Sequence, residues 1–136
     1  MGATSTVTYQ GSLRTSAEHL RSGNNIITDA PVDNNGKGEA FSPTDLVATS
    51  LASCMITIMG IKADRMGLDI KGASASVVKV MASGPRRIEE IQIQVTMPAN
   101  NFQYDEKKIL EKVAKTCPVA LSIHPDTKQI IDFTWS

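Results

Sequence analysis

The 136-residue sequence has few of the residues that most often mark a metal or cofactor site. It contains only two cysteines, two histidines and one tryptophan, and 4% of its residues are aromatic. A zinc site needs three or four closely spaced Cys, His, Asp or Glu ligands, but His19 and His124 have no paired ligand. Gly36 to Gly38 lacks the full phosphate-loop pattern. The sequence therefore predicts no metal and no bound cofactor.

The sequence also lacks a net charge that would indicate a polyanionic partner. Fourteen basic residues balance fourteen acidic ones, which argues against nucleic acid as a partner. The longest uncharged run, 46–61, is interrupted by hydroxyl side chains and is predicted to be a buried helix rather than a membrane span. Residues 1–7 do not resemble a signal peptide, so we expect a cytoplasmic protein whose cysteines are thiols.

Alternation of polar and apolar residues predicts the strands of a single α+β domain over 1–136. The predicted strands form a meander of two or three strands within 5–30, a hairpin of 73–81 and 88–97, and a last strand at 130–135. Residues 31–41 are rich in Gly, Asn and Asp, and we expect this loop to lead into a functional site.

Local capping signals predict the helices. Ser42-Pro43-Thr44-Asp45 combines an N-cap hydroxyl, a first-position proline and a carboxylate at the third position, which marks a helix start. This helix can continue to Arg65, with Gly67 as a left-handed residue and Leu68 closing a Schellman motif. Residues 105–116 form an amphipathic pattern, and Pro118 then places Cys117 at or next to the N-cap of a short third helix.

The residues alone leave the roles of the two cysteines open. Cys54 on an apolar helix is typical of a small core residue, although a face with Val47, Ser50, Leu51, Ile58 and Ile61 also suits a shielded pocket. The start of the third helix would stabilise a Cys117 thiolate, but a plain capping role is equally compatible. A Cys-His hydrolase using His124 also stays open, although a turn at His124-Pro125 is simpler.

Four segments together resemble the OsmC/Ohr family of osmotically inducible and organic hydroperoxide resistance proteins. They are the Gly-rich loop, Ser42-Pro43-Thr44-Asp45-Leu46, Leu51-Ala52-Ser53-Cys54 and Thr116-Cys117-Pro118-Val119, and the likeness extends over nearly the whole chain. The resemblance implies antiparallel sheets wrapped around a long central helix. It also implies an intertwined homodimer with two active sites at the subunit interface.

The resemblance further implies a thiol-dependent peroxidase that reduces organic hydroperoxides. Cys54 would form a sulfenic acid and Cys117 would resolve it as a disulfide, which an external dithiol, such as a lipoylated protein, would reduce. An arginine from the N-terminal strands would activate the thiolate, with Arg14 as the first candidate and Arg21 as the second. An apolar pocket near the helix would bind the peroxide tail; the expected lining is Leu51, Met55, Ile58 and Phe41 or Phe102 of the partner.

The sequence departs from the family at the residue after the helix-initial proline. The well-studied branches place there a glutamate that holds the arginine, whereas this chain has Thr44. Asp45 and Glu39 are the acids that could replace it, although Asp45 could be only a cap and Glu39 only a solvated charge. The alternative function is a non-enzymatic redox sensor or hydrophobic-ligand-binding protein of the same fold.

Overall fold

The computed structural model describes residues 2–136 and has the predicted α+β class. The strands are β1 (Ser5–Gly11), β2 (Arg14–His19), β3 (Asn25–Asp29), β4 (Ser74–Ser83), β5 (Arg86–Thr96) and β6 (Lys128–Thr134). The helices are α1 (Pro43–Arg65), α2 (Tyr104–Lys115) and α3 (Pro118–Ser122), with a 3-10 turn at Val32–Asn34. Each predicted strand and helix is present within a few residues of its expected bounds.

The chain divides into two compact units, one reaching to Leu46 and the other running from Val47 to Ser136. The first contains the predicted meander, in which β2 pairs antiparallel with both β1 and β3. The β2–β3 hairpin closes where the His19 N–H donates to the Asn24 carbonyl at 2.8 Å. Gly23 has a φ of 79° in the connecting turn, a conformation that glycine adopts without steric cost.

The second unit contains a three-stranded sheet in the order β4-β5-β6. β4 and β5 form the predicted antiparallel hairpin, but β6 runs parallel to β5, which differs from the expected antiparallel sheets. The reason is the connection between them. Parallel neighbours need a long crossover, and α2 and α3 supply it between β5 and β6.

The hydrophobic core of the second unit forms between one face of its sheet and α1. Alternate β5 residues, Ile91, Ile93 and Val95, are buried together with side chains of α1 and α2. The fully buried α1 and α2 members are Ala48, Leu51, Met55, Met59, Ala63, Leu110 and Ala114. The core fixes the rotation of α1 about its own axis and therefore the direction in which the remaining α1 side chains point.

Both ends of α1 have the predicted capping chemistry. The Asp45 N–H donates to Ser42 Oγ at 3.1 Å, and the Ser42 N–H donates to Asp45 Oδ2 at 3.0 Å, which is a reciprocal capping box. At the other end Gly67 has a φ of 71°. The Leu68 N–H donates to the Ala63 carbonyl at 2.8 Å, as in a Schellman motif. The predicted start and end of α1 are confirmed.

Among the described helices, α1 has the length and apolar composition of a membrane span, with a mean hydropathy of 1.6 over its most apolar window. The hydroxyl side chains within the uncharged run 46–61 therefore do not by themselves distinguish α1 from a membrane span. A third of the same window is buried within the chain, 33%, and the central helix of a folded core has the same composition.

Candidate active site

The two cysteines lie next to each other in the second unit, although they are far apart in sequence. Cys54 is on α1 and half-buried, packed against the core, whereas Cys117 is the N-cap of α3 and fully buried. Both are free thiols, and Cys54 is close enough to Cys117 to raise the pKa of the Cys117 thiol. One thiol is thus partly open to solvent and the other is shielded directly beside it.

Burial controls the protonation of Cys117. Burial raises the pKa of the Cys117 thiol above its ordinary value, and the neighbouring Cys54 raises it further. The Ala120 N–H donates to Cys117 Sγ at 3.4 Å and lowers the pKa, but this effect is the smaller one. The expected stabilisation of a Cys117 thiolate by the helix start is therefore outweighed, and Cys117 remains a thiol that can donate a hydrogen bond.

The α1 side chains around Cys54 do not form the single shielded face that the sequence suggested. Leu51 is fully buried, but Val47 and Ile61 are 43% and 46% exposed. Leu51 and Met55 belong to the core, and Met55 also lines a small cavity together with Ala114, Lys115, Gln129 and Ile131. Phe102 is also buried, with its ring 5.2 Å from that of Trp135, while Phe41 is exposed.

Arg14 is held by two carboxylates in the first unit. Its Nε donates to Asp29 Oδ1 at 2.7 Å and its Nη2 donates to Asp29 Oδ2 at 2.8 Å. The same Nη2 also donates to Glu39 Oε1 at 3.1 Å. Of the two acids considered from the sequence, Glu39 contacts the arginine, whereas Asp45 closes the helix cap. Arg21 is an exposed residue in the turn after β2.

Sequence reasoning missed Asp29. It is the last residue of β3, pairs with Arg14 in the β2–β3 register, and is 1% exposed. The hydrogen bond from Arg14 lowers the pKa of the Asp29 carboxyl, while Asp29 raises that of the guanidinium, so both groups stay charged. Counting the β2–β3 register outward from the turn at Gly23 would have placed Asp29 opposite Arg14.

Comparison with known proteins assigns the chain to a family. Residues 36–131 match the family described as OsmC-like protein, which is more than half of the chain. The chain belongs to the OsmC-like family. A comparison with curated proteins gave no match.

Solved structures show the OsmC-like fold over almost the whole chain. A protein from Psychrobacter arcticus 273-4, with a proposed role in the osmotic stress and detoxification response, is 60% identical with a TM-score of 0.95, covering 98% of this chain and 97% of that one. The organic hydroperoxide resistance protein OsmC of Legionella pneumophila is 15% identical, with a TM-score of 0.74 and 98% coverage of both chains. An OsmC-like protein from Mycoplasma pneumoniae is 17% identical, with a TM-score of 0.80 and coverage of 99% and 97%.

This OsmC-like chain uses hydroxyl groups where the well-studied branches have an acid. Thr44 Oγ1 and Ser42 Oγ lie 3.2 Å apart within the first turn of α1. The cap therefore combines these two hydroxyls with the Asp45 carboxylate. The carboxylates beside Arg14 come instead from β3 and the following loop.

His124 has the local role of a turn residue in this OsmC-like chain. Its Nδ1 accepts from the Asp126 N–H at 3.0 Å, and its side chain is 69% exposed. A general base is instead held against its nucleophile. The arrangement favours the turn interpretation over a Cys-His hydrolase.

Proposed function

We propose that this OsmC-like protein is a thiol-dependent peroxidase that reduces organic hydroperoxides. The observation that carries the proposal is the proximity of half-buried Cys54 to fully buried Cys117, whose pKa it raises. A peroxidatic thiol must be reachable by substrate, and its resolving partner must be close enough to intercept the sulfenic acid. The 60% identity with the Psychrobacter protein of the detoxification response supports the same class of function.

The reaction proceeds in three balanced steps. The Cys54 thiolate attacks one oxygen of ROOH, the O–O bond breaks, and the alkoxide leaves and takes a proton to become ROH. The resulting Cys54 sulfenic acid condenses with the Cys117 thiol, which releases water and forms the disulfide. An external dithiol then exchanges with this disulfide and leaves oxidised, restoring both thiols. We expect a lipoylated protein as one such dithiol.

Arg14 is the residue proposed to activate Cys54. A guanidinium brought next to the thiol would favour the thiolate and could orient the peroxide through its remaining N–H groups. Its paired state in the first unit supports this role, because the fork is already held in one orientation by Asp29 and Glu39. Assembly as a homodimer, with two such sites, and a cytoplasmic location stay predictions.

Turnover with cysteine variants tests the proposal. Cys54→Ser should abolish the reduction of cumene hydroperoxide by dihydrolipoamide, because serine provides no thiolate. Cys117→Ser should allow about one turnover and leave Cys54 as sulfenic or sulfinic acid, detected by intact mass. Ser53→Ala, one residue from Cys54 and exposed, is the matched control and should retain full turnover.

The possible outcomes separate the enzyme from its alternative. Full activity in either cysteine variant would contradict the mechanism. Oxidation of the parent by one equivalent, with no recycling by any dithiol, would instead favour the redox sensor. A disulfide between cysteines of two different chains in the oxidised parent, rather than between Cys54 and Cys117 of one chain, would also contradict the resolving role.

A further inference from the structure

We propose that Asp29 is a positioning residue: it holds Arg14, the residue proposed to activate Cys54, in one orientation, and it fastens the 30–41 loop to the same point. This inference rests on the proposed function of Arg14. It assigns to β3 the task that the helix-start glutamate has in the well-studied branches, where this chain has Thr44.

The ion pair between Arg14 and Asp29 has two points of contact. Arg14 Nε and Nη2 each donate to a separate oxygen of Asp29, at 2.7 and 2.8 Å. Two parallel charge-assisted bonds fix the plane of a guanidinium as well as its position, which one contact does not. Because Nη1 donates to neither carboxylate, that edge of the fork is not used in this pair. Asp29 therefore orients the arginine without occupying all of its donors.

Asp29 and Glu39 differ in how deeply they are buried and in how many bonds they make to Arg14. Asp29 is 1% exposed and lies directly across from Arg14 in the β2–β3 register. Glu39 makes a single 3.1 Å contact and its side chain is 65% exposed. Exposed pairs are screened by water and contribute little, whereas a buried, doubly bonded carboxylate keeps its partner in place. Glu39 is thus the releasable partner and Asp29 the permanent one.

The 30–41 loop is fastened to the same residue, Asp29. The Glu39 N–H donates to Asp29 Oδ2 at 3.1 Å, and the Asp29 N–H donates to the Phe41 carbonyl at 3.1 Å. The Gly38 N–H donates to the Ala30 carbonyl at 3.2 Å, so the loop returns to its own start. Loss of the Asp29 carboxylate would therefore free the arginine and the Glu39 backbone together.

The test compares Asp29→Asn with Arg14→Gln and with the double variant. Asparagine keeps the size of the side chain but loses the charge, and its NH2 group cannot accept from the arginine. We expect the rate of Cys54 oxidation by cumene hydroperoxide to fall roughly 100-fold, the usual cost of a misplaced catalytic group. The Cys54 pKa, followed by thiolate absorbance, should rise as well. Glu18→Gln, an exposed acid on β2, is the matched control and should change neither value.

The double variant distinguishes a positioning role from a merely structural one. If Asp29 acts through Arg14, the double variant should be no slower than Arg14→Gln alone. If Arg14→Gln slows oxidation but a folded Asp29→Asn does not, the inference is overturned while the peroxidase stands. If Arg14→Gln does not change the rate of Cys54 oxidation, the proposed activation of Cys54 by Arg14 is contradicted, and the role of Asp29 falls with it.

A measurement on the parent protein covers the case in which Asp29→Asn does not fold. The Arg14 Nε–H should be protected from solvent exchange in the nitrogen-15 NMR spectrum, because it donates to a buried carboxylate. Protection should persist in Glu39→Gln. Rapid exchange in the parent, or its appearance on removing Glu39 alone, would show that Asp29 does not hold the arginine.

Discussion

At Cys117, burial and the start of a helix act on one thiol in opposite directions. The Ala120 N–H stabilises a thiolate, but the sulfur is fully buried beside Cys54 and burial has the larger effect on its pKa. If Cys117 is the resolving thiol, as proposed, its neutral form would remain unreactive until a sulfenic acid forms at Cys54. The proposed difference in role between the two cysteines would then follow from their surroundings.

The raised pKa makes a prediction about Cys117 alone. In Cys54→Ser, alkylation of Cys117 by iodoacetamide should remain slow through neutral pH. The pH at which the alkylation rate reaches half its maximum should lie above 9.0, the ordinary pKa of this thiol. The upward direction of the pKa shift follows from burial, because burial disfavours the charged thiolate and persists in the variant. Mass spectrometry of the alkylated peptide at a series of pH values gives the midpoint. Fast alkylation at neutral pH would show that the helix start dominates instead.

The residues of the candidate site were predictable to different degrees. Cys54 and Cys117 stand in short motifs with local signals, a hydroxyl-capped helix and a Cys-Pro step. Asp29 has no such motif, since it meets Arg14 only through the register of a hairpin whose turn lies between them. A one-residue shift of that register would move the carboxylate to the other face of the sheet. In sequence, the acid next to Thr44 is Asp45, but its carboxylate is engaged in the helix cap.

Among the secondary-structure elements, α1 was the most predictable, because both of its ends depend on local chemistry. The direction of β6 was not predictable from alternation, which is the same in parallel and antiparallel strands. The direction of β6 is set by the α2–α3 crossover, and the path of this crossover depends on how the two helices pack against the sheet. Alternation did identify the buried β5 residues, Ile91, Ile93 and Val95.

The cap of α1 leads to a prediction about stability. Ser42 is 2% exposed and its hydroxyl accepts from the Asp45 N–H. Ser42→Ala should lower the free energy of unfolding by about 1 kcal/mol, since it leaves a helix-terminal N–H without its acceptor. Urea denaturation followed by circular dichroism measures the change.

Ser50→Ala is the matched control for the cap. Ser50 is exposed within α1, and its hydroxyl donates only to the Val47 carbonyl. Alanine is the better helix former at such a position, so this variant should be as stable as the parent or slightly more so. Equal losses of stability in both variants would show that the Ser42 cap has no special role.

For the whole molecule, the distribution of buried apolar side chains is uneven. Within residues 2–136, the buried apolar core begins at Ala48, so the three-stranded sheet of the first unit contributes none of it. The register places Val7, Ala17 and Ile26 side by side on one face of that sheet, with Val7 and Ile26 65% and 51% exposed. Tyr9, two residues along β1, is 64% exposed on the same face. A three-stranded sheet needs an apolar face covered to be stable.

These exposed side chains support the expectation of a homodimer. A second copy of the chain would cover the apolar sheet face, as well as the exposed Val47 and Ile61 side chains of α1. Light scattering at micromolar concentration should give about twice the 14.6 kDa of one chain. Ile26→Lys should shift the mass toward that of one chain, because it introduces a charge that the interface would have to desolvate.

Thr8→Lys is the matched control for the dimer. Thr8 is exposed on β1, next to Val7 and Tyr9, but it points to the opposite face of the sheet. The dimer mass should therefore be unchanged in this variant. A monomeric parent would contradict the dimer and any active site shared between subunits, and dissociation by Thr8→Lys rather than Ile26→Lys would place the interface on the other face. If the proposed turnover needs a site shared between subunits, the mass and the peroxidase rate of Ile26→Lys should fall over the same range of dilution.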